Sequence, residues 1–206
     1  MNEDVGSFEP DLERWDAWTP AEVAERLEGV DATWYVLAGW ALDLFQGRQT
    51  REHDDLEIGV ATHEFDGIRE ALEEFDLFVV GGGEARPLTA SALAAHHQTW
   101  VRERETGVWR LDVIREPWAG DVWVCRRDPR IRLARSELIS LTSNGIPYAQ
   151  PEVVLLFKAK TVRPKDESDF ATMLPLLDTA RRKWLAGALG FVHPGHPWLK
   201  ELASES

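Results

Sequence analysis

Short alternating runs of apolar and polar residues, broken by turn signals and joined by stretches of helical spacing, set the outline of this chain. Thr19-Pro20-Ala21-Glu22 has the form of a capping box with proline at the first helical position, so a helix should run to about Leu27 and stop near Gly29. Trp34 to Leu37 is an apolar run of strand length, and Ala38-Gly39 is small enough for a tight passage into the one or two helical turns of Trp40 to Phe45. Gln46 to Asp54 reads as a polar loop and Asp55 to Val60 as a second strand. Thr62 should cap a helix whose apolar positions are Phe65, Ile68, Leu72 and Phe75. Leu77 to Val80 is a strand closed by Gly81-Gly82-Gly83. Thr99 to Arg104 and Val108 to Ile114 read as strands around a turn at Glu105-Thr106-Gly107. Strict alternation in the second of these puts Trp109, Leu111 and Val113 on one face and Arg110, Asp112 and Ile114 on the other. Val122 to Cys125 and Ile131 to Leu133 add edge strands. Beyond the turn signal Asn144-Gly145-Ile146-Pro147 the pattern becomes helical, with starts at Pro151, Asp166, Asp178 and Pro197. The fold class expected is α/β (α+β), a mixed sheet flanked by helices, with an α/β domain over 1–145 and a helical part over 146–206.

One strand carries chemistry. In Asp55-Leu56-Glu57-Ile58 the apolar residues share one face and the two acids the other, their Cα atoms about 6.6 Å apart. Two carboxylates held that close repel unless a positive group lies between them, and a hard divalent ion such as Mg²⁺ suits oxygen ligands. A third acid would complete a two-metal site for phosphate chemistry, and Asp112, mid-strand, is the candidate if its strand lies beside Asp55–Val60. Acids are disfavoured inside strands, although an exposed antiparallel face would also admit them. Positive charge comes from Arg48 and Arg51 before the acidic strand and from Lys158, Lys160, Arg163 and Lys165. Lys158 and Lys160 lie about 200° apart around a helix, so both cannot face one ligand. A basic helix end that complements the dipole is the plain alternative for this cluster.

Composition narrows the partners. The 206 residues are 44% hydrophobic, which supports a packed core, and carry 23 basic against 36 acidic residues, a net charge of −13. That sign disfavours nucleic acid and suits either a plain soluble surface or a cationic substrate. Cys125 is the only cysteine, so no internal disulfide forms, and its neighbours Val122 and Val124 suggest a packed thiol. No signal-peptide pattern and no apolar run of membrane-spanning length is present, so a cytoplasmic protein with no membrane partner is expected. His96-His97 and His193-Pro194-Gly195-His196 lack the spacing of a zinc site.

Trp34 to Asp43, followed by Gly47-Arg48-Gln49-Thr50-Arg51-Glu52-His53-Asp54-Asp55-Leu56-Glu57-Ile58, resembles the aminoglycoside-2''-adenylyltransferase-like family of the polymerase-beta-type nucleotidyltransferase superfamily. The shared pattern is a strand, a small-small pair, a short helix and an acid-apolar-acid strand. Leu111-Asp112 matches the family's third carboxylate, and Phe157-Lys158-Ala159-Lys160 with Arg163-Pro164-Lys165-Asp166 resembles its C-terminal segment. The resemblance implies a nucleotidyltransferase fold and two Mg²⁺ ions held by Asp55, Glu57 and Asp112, with Asp112 also the general base. ATP or another NTP would be the co-substrate, with Gly39, Arg51, Lys160 and Lys165 around its phosphates. A small hydroxyl-bearing, cationic, antibiotic-like molecule would be the acceptor, and the protein a monomer or homodimer. Two departures are Ala38, where the first small residue is usually glycine, and Glu57, where the second acid is often aspartate. A macromolecule-directed, toxin-like transferase and a nucleotide-binding, non-catalytic member of the fold are the alternatives.

Overall fold

The computed structural model describes residues 6–203. Its elements in order are α1 (Pro20–Arg26), β1 (Trp34–Val36), α2 (Ala38–Gln46), β2 (Glu57–Ala61), α3 (Phe65–Ala71), β3 (Asp76–Gly81), β4 (Glu84–Pro87), α4 (Ala90–Ala95), β5 (Gln98–Arg102) and β6 (Trp109–Glu116). There follow β7 (Trp118–Ala119), β8 (Val122–Val124), β9 (Arg132–Ala134), α5 (Arg135–Leu138), β10 (Ile139–Leu141), β11 (Pro147–Ala149), α6 (Pro151–Lys158), α7 (Pro164–Met173), α8 (Thr179–Val192) and α9 (Trp198–Ala203). The mixed α/β class is the one the alternation indicates. The chain divides into two compact units, one comprising the chain up to Val36 with Glu52–Trp118, the other Leu37–Arg51 with the chain from Ala119 on. The expected boundary at 145 lies inside the second unit.

The first unit is built on strands in the order β1-β2-β6-β5-β3-β4, all antiparallel except the parallel pair β2–β6. The expected capping box opens α1: the Thr19 backbone N–H donates to Glu22 Oε2 at 2.7 Å and the Glu22 N–H to Thr19 Oγ1 at 3.3 Å. The Thr19 backbone N–H, and the Thr19 hydroxyl donating to the same Oε2 at 2.9 Å, hold the Glu22 carboxyl below its ordinary pKa. Phe65, Ile68 and Leu72 bury the inner face of α3. Thr62 does not cap it. A 3₁₀ turn over Thr62–Glu64 intervenes, and the Thr62 hydroxyl donates to the Glu116 carbonyl at 2.8 Å. On the α3 side of the sheet Arg115 is buried, its guanidinium donating to Thr99 Oγ1 and the His96 carbonyl and lying 5.0 Å from the Phe65 ring.

The segment after Gly83 is ordered as an edge strand, β4, and a short helix, α4, where only a loop is legible in the sequence. Gly82 and Gly83, at φ 65° and 85°, make the turn from β3 into β4. Between β5 and β6 the ladder shifts: Val101 pairs with Leu111, yet Arg102 pairs with Trp109, leaving Arg110 as the extra residue of a β-bulge. The bulge corrects the expected alternation. Trp109 joins the face of Trp100 and Phe78, with ring centroids 5.3 and 5.9 Å away, instead of the face of Leu111 and Val113.

In the second unit α6 packs against α2, α7 and α8, and α8 against α9. Two antiparallel pairs, β8–β9 and β10–β11, complete it. Helix α6 ends at Lys158, and Arg127 caps it by donating to the Leu156 and Phe157 carbonyls, each at 2.9 Å. Phe170 stacks on Trp198 at 4.1 Å, and Cys125 is a buried thiol.

Candidate active site

Strand pairing brings two of the three predicted acids together. Glu57 on β2 and Asp112 on β6 are register partners in the parallel pair, and the Asp112 backbone N–H donates to the Leu56 carbonyl at 2.9 Å. Side chains of register partners leave the same face of a sheet, so both carboxylates stand on one side. Ile58 and Val113, the next pair, are fully buried on the other. β2 begins at Glu57, so Asp55 sits in the extended segment just before the strand, exposed, while Glu57 is half-buried and Asp112 is 4% exposed.

Asp112 is held from one side only. Gln98, on β5, donates Nε2–H to Asp112 Oδ2 at 2.8 Å, whereas Oδ1 is buried without a hydrogen-bond partner. Trp100, the β5 register partner of Asp112, has its indole N–H buried and unbonded as well. Burial raises the Asp112 carboxyl well above its ordinary pKa, and the charge of Glu57 and, more weakly, of Asp55 raises it further; Gln98 and the nearby Trp100 indole oppose the shift. An orphaned carboxylate oxygen beside two more carboxylates has the charge and donor chemistry that suit a hard cation. As they stand, no three acidic, histidine or cysteine side chains among the described residues converge closely enough to hold a metal ion.

The remaining predicted residues lie in the second unit. Ala38 and Gly39 open α2, and Ala38 has φ 51°, the sole positive value at a non-glycine among the described residues. The left-handed region is open to glycine and costs an alanine about 1–2 kcal/mol. The backbone thus keeps the path a glycine would take. Arg51 is 3.5 Å from Asp169. Lys158 is not a ligand-facing cation: its ammonium is buried between Asp166 at 3.1 Å and Asp169 at 2.9 Å. Asp166 is itself fully buried, accepts the Arg163 backbone N–H at 3.0 Å and guanidinium at 2.8 Å, and is held at a pKa of about 2 by Arg163 and Lys158 despite its burial. Lys160 is exposed and Lys165 half-buried. Gln98 is the contact that sequence reading passes over. Among the described residues no helix is long and apolar enough to cross a membrane.

Residues 21–97 match the family model of aminoglycoside-2''-adenylyltransferase. No curated protein matches the chain significantly. Among solved structures, the lincosamide antibiotic adenylyltransferase LnuA, crystallised with lincomycin bound, is 18% identical over 76% of this chain and 95% of its own, with a TM-score of 0.55. ANT(2'')-Ia in complex with adenylyl-2''-tobramycin is 12% identical over 83% of this chain and 95% of its own, at 0.57. The solution structure of the antibiotic-resistance factor ANT(2'')-Ia is 14% identical over 82% and 88%, also at 0.57. At these identities the likeness is one of fold. The matched segment contains the small-small pair and the acid-apolar-acid motif: over residues 21–97 the chain is similar to the aminoglycoside-2''-adenylyltransferase family, and its fold is similar to that of the antibiotic adenylyltransferases above.

Proposed function

We propose that this protein transfers a nucleoside monophosphate, AMP from ATP, to a hydroxyl of a small cationic antibiotic-like molecule. The observation that carries the reading is the register pairing of Glu57 with a buried Asp112 whose Oδ1 has no partner. In the step proposed, the acceptor oxygen bonds to the α-phosphorus in line, the bond from that phosphorus to the bridging oxygen of the β-phosphate breaks, and pyrophosphate leaves. The hydroxyl proton passes to the Asp112 carboxylate, whose raised proton affinity suits a general base. Asp55, Glu57 and Asp112 would hold divalent ions, Mg²⁺ by the hardness of the ligands, which supply charge neutralisation for the triphosphate. Gly39, Arg51, Lys160 and Lys165 are assigned to the nucleotide phosphates by the family resemblance. A net charge of −13 favours a cationic acceptor over RNA, and two structural neighbours are seen with lincomycin and with adenylylated tobramycin.

The test is incubation with Mg·ATP and a panel of aminoglycosides and lincosamides, read for pyrophosphate and for a mass gain of one AMP. Asp112→Asn and Asp55→Ala should each lower the rate by about 10²-fold or more. Pyrophosphate absent with every acceptor, NTP and divalent ion would sink the proposal. Product formed on tRNA or protein instead would transfer it to the macromolecule-directed class.

A further inference from the structure

The second unit holds a cavity of about 240 Å³ between one face of α8 and the Arg130–Arg132 segment, and none of its residues enters the chemistry proposed above. On α8 it is lined by Lys183, Trp184, Gly187 and Phe191, positions i, i+1, i+4 and i+8, which share one side of a helix. Arg130 and Arg132 face them. The charge is mostly uncommitted. Arg130 is paired with Asp128 at 2.5 Å. Arg132 spends only its Nε, on the Pro129 carbonyl at 2.9 Å, and Lys183 makes no hydrogen bond or ion pair among the described residues. Such a concentration of cations is unusual in a chain with 36 acids. Acids farther than about 8 Å are screened at physiological salt, so these local charges set the potential.

The walls are aromatic as well as cationic. Phe191 is 50% exposed, an uncommon state for a phenylalanine, and the Arg130 guanidinium lies 4.3 Å from its ring centroid. Gly187 leaves the floor open: a Cβ built there would meet nothing within 4 Å. Packing therefore does not demand glycine at this mid-helix position, where it weakens the helix relative to alanine. The volume falls below the 300 Å³ or so of drug-sized sites, which limits the occupant to about one ring and one charged group.

We propose that this cavity binds a small planar aromatic anion, its ring against Trp184 and Phe191 and its phosphate or carboxylate on Arg132 and Lys183. The test uses the full chain with ¹⁵N-labelled indoles, titrated with phenyl phosphate, the Trp184 resonance being assigned through Trp184→Phe. A saturable shift of that resonance is expected, weakened about tenfold by Arg132→Ala and by Lys183→Ala, the loss of one charged contact each. Gly187→Leu, which fills the cavity from a position free of clashes, should abolish it while leaving the rest of the spectrum in place. The proposal is overturned by an unsaturable response, by equal affinity for phenol or for inorganic phosphate, or by wild-type binding in a folded Gly187→Leu protein. Adenylyltransferase activity does not enter the readout, so the two readings stand or fall separately.

Discussion

Asp112 concentrates the conflict between stability and chemistry at one residue. A buried carboxyl with its pKa raised keeps its proton longer when folded than when unfolded, so the unfolded state binds fewer protons and stability falls as pH rises above the unfolded value near 4. Asp112→Asn removes that penalty. Its stability by denaturant titration should exceed wild type by about 1 kcal/mol or more at pH 7 to 8, with the difference vanishing toward pH 4. Mg²⁺ or Mn²⁺ should raise the wild-type midpoint and leave the variant's unmoved. Ala38 is the second strained residue, carrying a methyl into the left-handed region. Ala38→Gly relieves about 1–2 kcal/mol of backbone strain and gives back about 0.5–1 kcal/mol in chain entropy, so thermal unfolding should show a small net gain. The acids of the motif were legible as residue types at a spacing. The oxygen that matters was not, because it depends on which neighbour, here Gln98, occupies the other one.

At the scale of elements, α7 rests on an acid that serves twice. Asp166 accepts the Arg163 backbone N–H at the helix start and binds the buried Lys158 ammonium. Its pKa of about 2 lies below the unfolded value, so its contribution is complete at neutral pH and is lost as pH falls from about 4 through 2. Asp166→Asn should cost about 2 kcal/mol at pH 7, and the two proteins should converge in acid unfolding as pH approaches 2. Most elements were readable: the capping box of α1, the alternation of β2, the proline start of α6; α7 opens at Pro164, two residues before the expected Asp166. β4 and α4 were not readable: Pro87 argues against a strand and is tolerated only because β4 is an edge, and α4, though its alanines and the Thr89 cap favour a helix, is six residues long, too short for a helical period to show. The β5–β6 register was hidden by the bulge. Counting outward from the turn, where the Glu103 N–H donates to the Val108 carbonyl, sets Trp100 opposite Leu111, one residue away from its true partner Asp112.

Taken as a whole, the molecule is an anion meeting what we propose to be a cationic acceptor. Long-range attraction raises local substrate concentration and is screened by salt. With a net charge of −13, KM for a polyamine acceptor should rise severalfold between about 0.05 and 0.5 M NaCl, with kcat nearly constant. An uncharged acceptor should show no such rise. Net charge was readable from composition alone. The division of the chain was not, because residues 37–51 join the later unit across a gap of more than sixty residues, which no shift in local pattern marks.

The surplus residue in β6 gives this strand an unusual tolerance of length change. Loss of one residue from a central strand ordinarily turns every later side chain over. Excising Arg110 would instead heal the ladder, with Arg102 still opposite Trp109, Val101 still opposite Leu111 and the carboxylates undisturbed. The forfeit is the contacts of Arg110 with Asp16 and Glu103 and its carbonyl's bond from the Trp18 N–H, about 2–3 kcal/mol in all. Excising Val113 should leave no folded protein, a contrast that circular dichroism of the two shortened chains would reveal.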